Sequence, residues 1–90
     1  MTPSQTSDKK IAITVIVNGQ PVPIEAHPDE LLHRVAQEAL KESGNSGQPL
    51  ENWELRDSAG QVLDLKKKIK DYGIASGTKL FLNLKAGVGG

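Results

Sequence analysis

From Ile11 to Val17 the chain reads IAITVIV, with Ile11, Ile13, Val15 and Val17 at every second position. Side chains two apart share one face of a strand, so this β-branched run predicts a strand nearly buried on both sides, its other face the less apolar. Asn18-Gly19 follows, the dipeptide best suited to the positive φ angles of a two-residue turn, and Val22, Ile24 and Ala26 resume the alternation. A β-hairpin is predicted. Pro21 and Pro23 both lack an amide on the same lateral side, so the second strand must lie at a sheet edge.

Pro28-Asp29-Glu30 offers a proline at a first helical position and two acids for the positive end of a helix dipole, which predicts a helix starting there. Leu31, Leu32, Val35, Ala36, Ala39 and Leu40 form its apolar stripe, and Gly44 ends it. Asn45 to Asn52 reads as a loop. Trp53 and Leu55 then alternate with Glu54 and Arg56, and Asp57-Ser58-Ala59-Gly60 turns the chain toward a short Val62-Leu63 strand, a second and smaller hairpin. Asp64 to Ile74 is expected to form a short helix or compact turn, with Gly73 in a conformation that a side chain would disfavour. Thr78 to Lys85 alternates Leu80, Leu82 and Leu84 against Phe81 and Asn83, a last strand. One helix on one face of a mixed sheet is an α+β arrangement. The expected organisation is a tail over residues 1–10, a domain over 11–85 and a second tail over 86–90.

Composition narrows the function. Eleven Lys plus Arg balance eleven Asp plus Glu, and aromatic residues make up 3% of the chain, which argues against nucleic acid held by basic patches and stacking platforms. The sequence has no cysteine, which removes disulfides, thiolate metal sites and a thiol nucleophile, and suits a reducing cytoplasm. No apolar run approaches the ~20 residues of a membrane span, so no membrane partner is expected. The histidines, His27 and His33, lie outside helical ligand spacing and have no evident catalytic partner, so neither an enzyme, a metal site nor a cofactor is expected. Lys66, Lys67, Lys68 and Lys70 form a basic run that reads first as a solvated face and second as a contact for an acidic partner. Phe81 and Ile16 are left on the open face of the sheet, where they would form a partner patch.

Nine glycines are present, three of them in Gly87-Val88-Gly89-Gly90. This is no phosphate loop, because no helix follows it. A carboxylate that must enter a narrow enzyme site needs a thin, extended end, and glycines without Cβ let the main chain approach a nucleotide closely. Adenylation by ATP would turn the Gly90 carboxylate into a mixed anhydride open to a thiol, an amine or a sulfur donor. The domain would then be substrate, not catalyst.

The element order, the Asn18-Gly19 turn, the Ala59-Gly60 turn, Asp71-Tyr72-Gly73-Ile74 and the closing Gly89-Gly90 resemble ubiquitin across Ile11 to Gly90. Val17-Asn18-Gly19, Trp53-Glu54-Leu55-Arg56-Asp57 and Leu80 to Gly90 more closely resemble a bacterial ubiquitin-like family encoded beside activating-enzyme, conjugating-enzyme and JAB-type metalloprotease homologues. The resemblance implies a β-grasp fold with a four- to five-stranded mixed sheet, a monomeric cytoplasmic protein, and conjugation of target proteins through Gly90. Gly89 would be the protease-read neighbour, and Lys85, Ala86, Gly87 and Val88 the tail read by the partner enzymes. Tyr72 matches a tyrosine whose hydroxyl braces a neighbouring loop. Arg56 and Asn83 stand where ubiquitin has apolar recognition residues and Phe81 where it has a histidine, so a different partner surface formed by Phe81, Asn83, Arg56 and Ile16 is implied. The alternative is a sulfur carrier of the β-grasp type, with a thiocarboxylate at Gly90.

Overall fold

The computed structural model describes residues 10–45 and 47–86. Strand β1 (Ile11–Val17) turns into β2 (Gln20–Ala26), helix α1 (Leu32–Glu42) follows, and β3 (Trp53–Arg56) and β4 (Lys79–Leu84) complete a four-stranded sheet in the order β2-β1-β4-β3. Asn18 and Gly19 take φ of 50° and 86°, the positive values that a tight hairpin with right-handed strand twist requires. Ile16 stands opposite Pro21 and Thr14 opposite Pro23, and β2 is an edge strand, so the missing amides fall where no strand pairs. The central β1 and β4 run parallel, with Val15 beside Leu80 and Val17 beside Leu82, while β3 pairs antiparallel with β4.

The alternation places one face of every strand under α1. Ile13, Val15, Val17, Leu55, Leu80 and Leu82 are at most 1% exposed, as are Leu32, Val35, Ala36 and Ala39 of the helix. Each large aliphatic side chain buried this way stabilises the fold by about 1.5–3 kcal/mol relative to exposure. The alanines keep the helix surface low where it crosses the sheet.

The helix begins at Leu32, not at Pro28. Its N-cap is Leu31 in extended backbone, and no side chain caps it. The amides of Leu32 and His33 instead donate to the carbonyls of Lys67 (2.9 Å) and Leu65 (3.0 Å). In return, Ile69 donates to Glu30 O (3.0 Å) and Lys70 to Pro28 O (2.9 Å). Pro28 to Glu30 is thus drawn into a ladder with the 65–70 segment, and the helix amides that lack an intrahelical partner are satisfied from a distant part of the chain. Consequently Leu31 leaves the apolar stripe and is 44% exposed. At the other end Gly44, at φ 76°, donates to Lys41 O and Asn45 to Leu40 O, the paired bonds of a Schellman ending.

The expected second hairpin shrinks to one bridge, Arg56 opposite Val62. Asp57 Oδ1 accepts from the amides of Ala59 and Gln61, each at 2.9 Å, and so fixes the turn. Past Leu63 the chain diverges to supply the carbonyls that cap α1, which leaves Val62 without a strand. A 3₁₀ turn at Ile69–Tyr72 ends on Gly73 at φ 66°, as the sequence led one to expect.

Candidate functional site

Three surface features stand out, two of them on β3 and β4. On the open face, the parallel register sets Ile16 beside Phe81 and the antiparallel register sets Arg56 opposite Phe81. With Pro21 opposite Ile16, the row runs Pro21, Ile16, Phe81, Arg56 across all four strands. Ile16 and Phe81 are half-buried, not fully open, and Asn83 is exposed opposite Glu54. The Arg56 guanidinium is held by Glu54: Nη2 donates to Oε2 at 2.8 Å and Nε to the same oxygen at 3.2 Å, while Nη1 donates to Gly60 O at 2.8 Å. An arginine pinned by a carboxylate and a carbonyl presents a fixed planar edge beside Phe81, and the sequence pattern gave no hint of the Glu54 clamp.

The second feature is the root of the C-terminal segment. The Lys85 amide donates to Asn52 O at 2.8 Å, which carries the β3–β4 ladder one residue beyond β4. Lys85 and Ala86 are exposed. Gly87, Val88, Gly89 and Gly90, the residues on which the conjugation expectation rests, lie outside the described residues, as does the expected N-terminal tail apart from Lys10. Asn52 as an anchor carbonyl was not foreseen; only the strand register reveals it.

The third feature is the bracing of the 64–72 segment. The Asp64 amide donates to Tyr72 Oη at 2.8 Å, the role that the ubiquitin resemblance implied for this tyrosine. Lys70 Nζ meets Asp29 Oδ1 at 2.8 Å, tying the 3₁₀ turn to the segment before α1. The hydrogen bond and charge of Lys70 hold the Asp29 carboxyl below its ordinary value, and Asp29 in turn raises the Lys70 ammonium. Part of the basic run therefore has structural work, since the carbonyl of Lys67 caps α1 and Lys70 pairs with Asp29. His33 is exposed and His27 half-buried, and among the described residues no group of three or more His, Asp or Glu is placed to hold a metal. Among the same residues, no helix is long and apolar enough to cross a membrane.

A mixed four-stranded sheet with a parallel central pair, an edge hairpin and one helix across a single face is the ubiquitin-like β-grasp fold. Solved structures agree. A ubiquitin of Caldiarchaeum subterraneum superposes with a TM-score of 0.73 at 21% identity, over 91% of this chain and all of that one. The ubiquitin-like domain of Plasmodium falciparum Dsk2 gives 0.72 at 19% identity, over 86% of this chain and all of that one. In sequence, residues 6–90 match the family described as "Protein of Unknown function (DUF2604)", and the chain belongs to it. A protein of Sinorhizobium fredii (strain NBRC 101917 / NGR234) called "Uncharacterized protein y4jI" is 54% identical over 81 residues, which is 90% of this chain. The chain spans 62% of that relative's length.

Proposed function

We propose that this chain is a bacterial ubiquitin-like modifier, cytoplasmic and without catalytic activity of its own, joined through the Gly90 carboxylate to amines on target proteins. The observation that carries the reading is the rooted exit of the C-terminal segment. The central strand β4, buried on its inner face, leads through Lys85, whose amide is fixed to Asn52 O, directly into Ala86 and the Gly87-Val88-Gly89-Gly90 sequence. Four residues beyond Ala86 extend at most about 14 Å, long enough to enter a narrow site and short enough to keep the domain against the enzyme. In this reading an activating enzyme attacks ATP with the Gly90 carboxylate, releasing pyrophosphate and leaving an acyl-adenylate. An enzyme thiol displaces AMP, a conjugating enzyme takes over the acyl group, and a lysine amine of the target forms the amide. A JAB-type metalloprotease would hydrolyse the amide between Gly90 and the target lysine, reading Gly89 as the neighbouring residue.

Incubation of the chain ending at Gly90 with its activating-enzyme homologue and ATP tests this. The expected result is an adduct carried on Gly90 that disappears when Gly89 and Gly90 are deleted. An adduct that survives the deletion overturns the reading. A stable thiocarboxylate at Gly90 with no protein adduct would assign the chain to sulfur transfer instead.

A further inference from the structure

Beside the root of the C-terminal segment, on the flank of β3, lies a groove of about 230 Å³. Its apolar lining includes Leu50, Trp53, Val62 and Leu65, and Glu51, Asp64 and Lys85 stand among its polar residues. Val62 is 50% exposed, one of two large hydrophobic residues so open among those described. Trp53 is 2% exposed, and its indole Nε1 is buried without an acceptor among the described residues. Trp53 walls the groove, so its indole senses whatever enters there. A second hollow of about 460 Å³ shares Leu50, Glu51, Asp64 and Leu65 with the first and extends it past Pro49 to His33 on α1.

We infer that this groove is the docking site for the enzyme that activates Gly90, entered by an aliphatic side chain of that enzyme flanked by lysine or arginine. The inference rests on the modifier reading above. Continuity with the C-terminal segment names the occupant: Lys85 lines the groove, and a reach of about 14 Å beyond Ala86 obliges any protein holding Gly90 to stand over this end of the sheet. The lining fixes its chemistry. Val62, Leu50 and Leu65 offer an apolar seat, and Glu51 and Asp64 offer carboxylates to a basic flank. The open-face row at Phe81 lies on the other side of the sheet from the core and remains available to a different partner.

The sequence contains one tryptophan, so the protein gives a single indole N–H resonance in a nitrogen–proton correlation spectrum. Titration with the activating-enzyme homologue, without ATP, should shift that resonance both for the full chain and for a chain lacking Gly89 and Gly90. In the adduct assay, Val62→Arg and Glu51→Arg should each raise the chain concentration giving half-maximal rate by about tenfold while the saturating rate is kept. Both positions are exposed; should one variant unfold, the other decides. An unmoved indole resonance, or unchanged half-saturation in a folded variant, overturns the assignment. If the full chain forms no adduct, the modifier reading fails, and the indole titration alone decides whether the enzyme docks here.

Discussion

Removing one oxygen from Tyr72 should loosen two parts of the molecule at once. Tyr72 Oη accepts from the Asp64 amide at 2.8 Å, and the residues just after Asp64 supply the carbonyls that cap α1. In Tyr72→Phe the ring stays and only the acceptor is lost. A neutral intramolecular hydrogen bond contributes about 0.5–1.5 kcal/mol net. Asp64 is exposed, so water can take over its amide, and the cost belongs at the lower end, about 0.5–1 kcal/mol. For a domain of this size that lowers Tm by roughly 2–8 °C. Thermal melting followed by circular dichroism gives the global number, and amide hydrogen exchange locates it. Exchange should accelerate most at Asp64 and next at Leu32 and His33, whose amides depend on Lys67 O and Leu65 O. Acceleration spread evenly over the β1 and β4 amides, or none at Asp64, would refute the idea that Tyr72 holds this segment in place.

Other consequences follow from particular contacts. Because the Asp29 carboxyl is held low by Lys70, its contribution is present above about pH 4 and lost as pH falls through the lower folded value. The Lys70 contribution has the opposite sense, present below about pH 10.4 and lost as pH rises through the higher folded value. The small stability advantage of the wild type over Asp29→Asn should therefore be flat between those limits and vanish beyond both in urea titrations; an advantage that grows at low pH would contradict the pairing. Phe81→Ala removes a half-buried ring from the open face, so it should cost about 1–2 kcal/mol in urea unfolding, less than the 3–5 kcal/mol of a core phenylalanine. A loss in the core range would show that Ile16 and Arg56 enclose it more fully than the register indicates.

Local rules carried most of the architecture. Alternation of β-branched residues located β1 to the residue and the inward positions of β2, Asn18-Gly19 set the turn, and Pro21 with Pro23 identified the edge, because each of these depends on neighbours in the chain. Gly73 was legible for the same reason: a positive φ marks its own residue. The start of α1 was not legible. Pro28, Asp29 and Glu30 satisfy every local signal for a helix N-terminus, yet the carbonyls of Pro28 and Glu30 accept from Lys70 and Ile69, and the amides of Leu32 and His33 donate to Lys67 and Leu65. Likewise Val62-Leu63 has strand composition, but its continuation is diverted to cap α1. Of the candidate site, the open-face set Ile16, Phe81 and Arg56 was readable from strand parity and resemblance, and the register brings these side chains into one row. The groove beside Trp53 was invisible, since it joins the 50–55 and 62–65 segments with Lys85 across three separate parts of the chain.

The central claim is that Gly90 ends as an amide on another protein. Trypsin cuts after lysine, and Lys85 is the last lysine before Gly90, so digestion of a true conjugate leaves Ala86-Gly87-Val88-Gly89-Gly90 attached to the acceptor lysine. Mass spectrometry of digested protein from the native cell should find peptides whose lysine carries that five-residue remnant, and should lose them when the activating-enzyme homologue is deleted. A chain recovered only as free carboxylate or thiocarboxylate at Gly90, with no remnant on any lysine, would contradict the account.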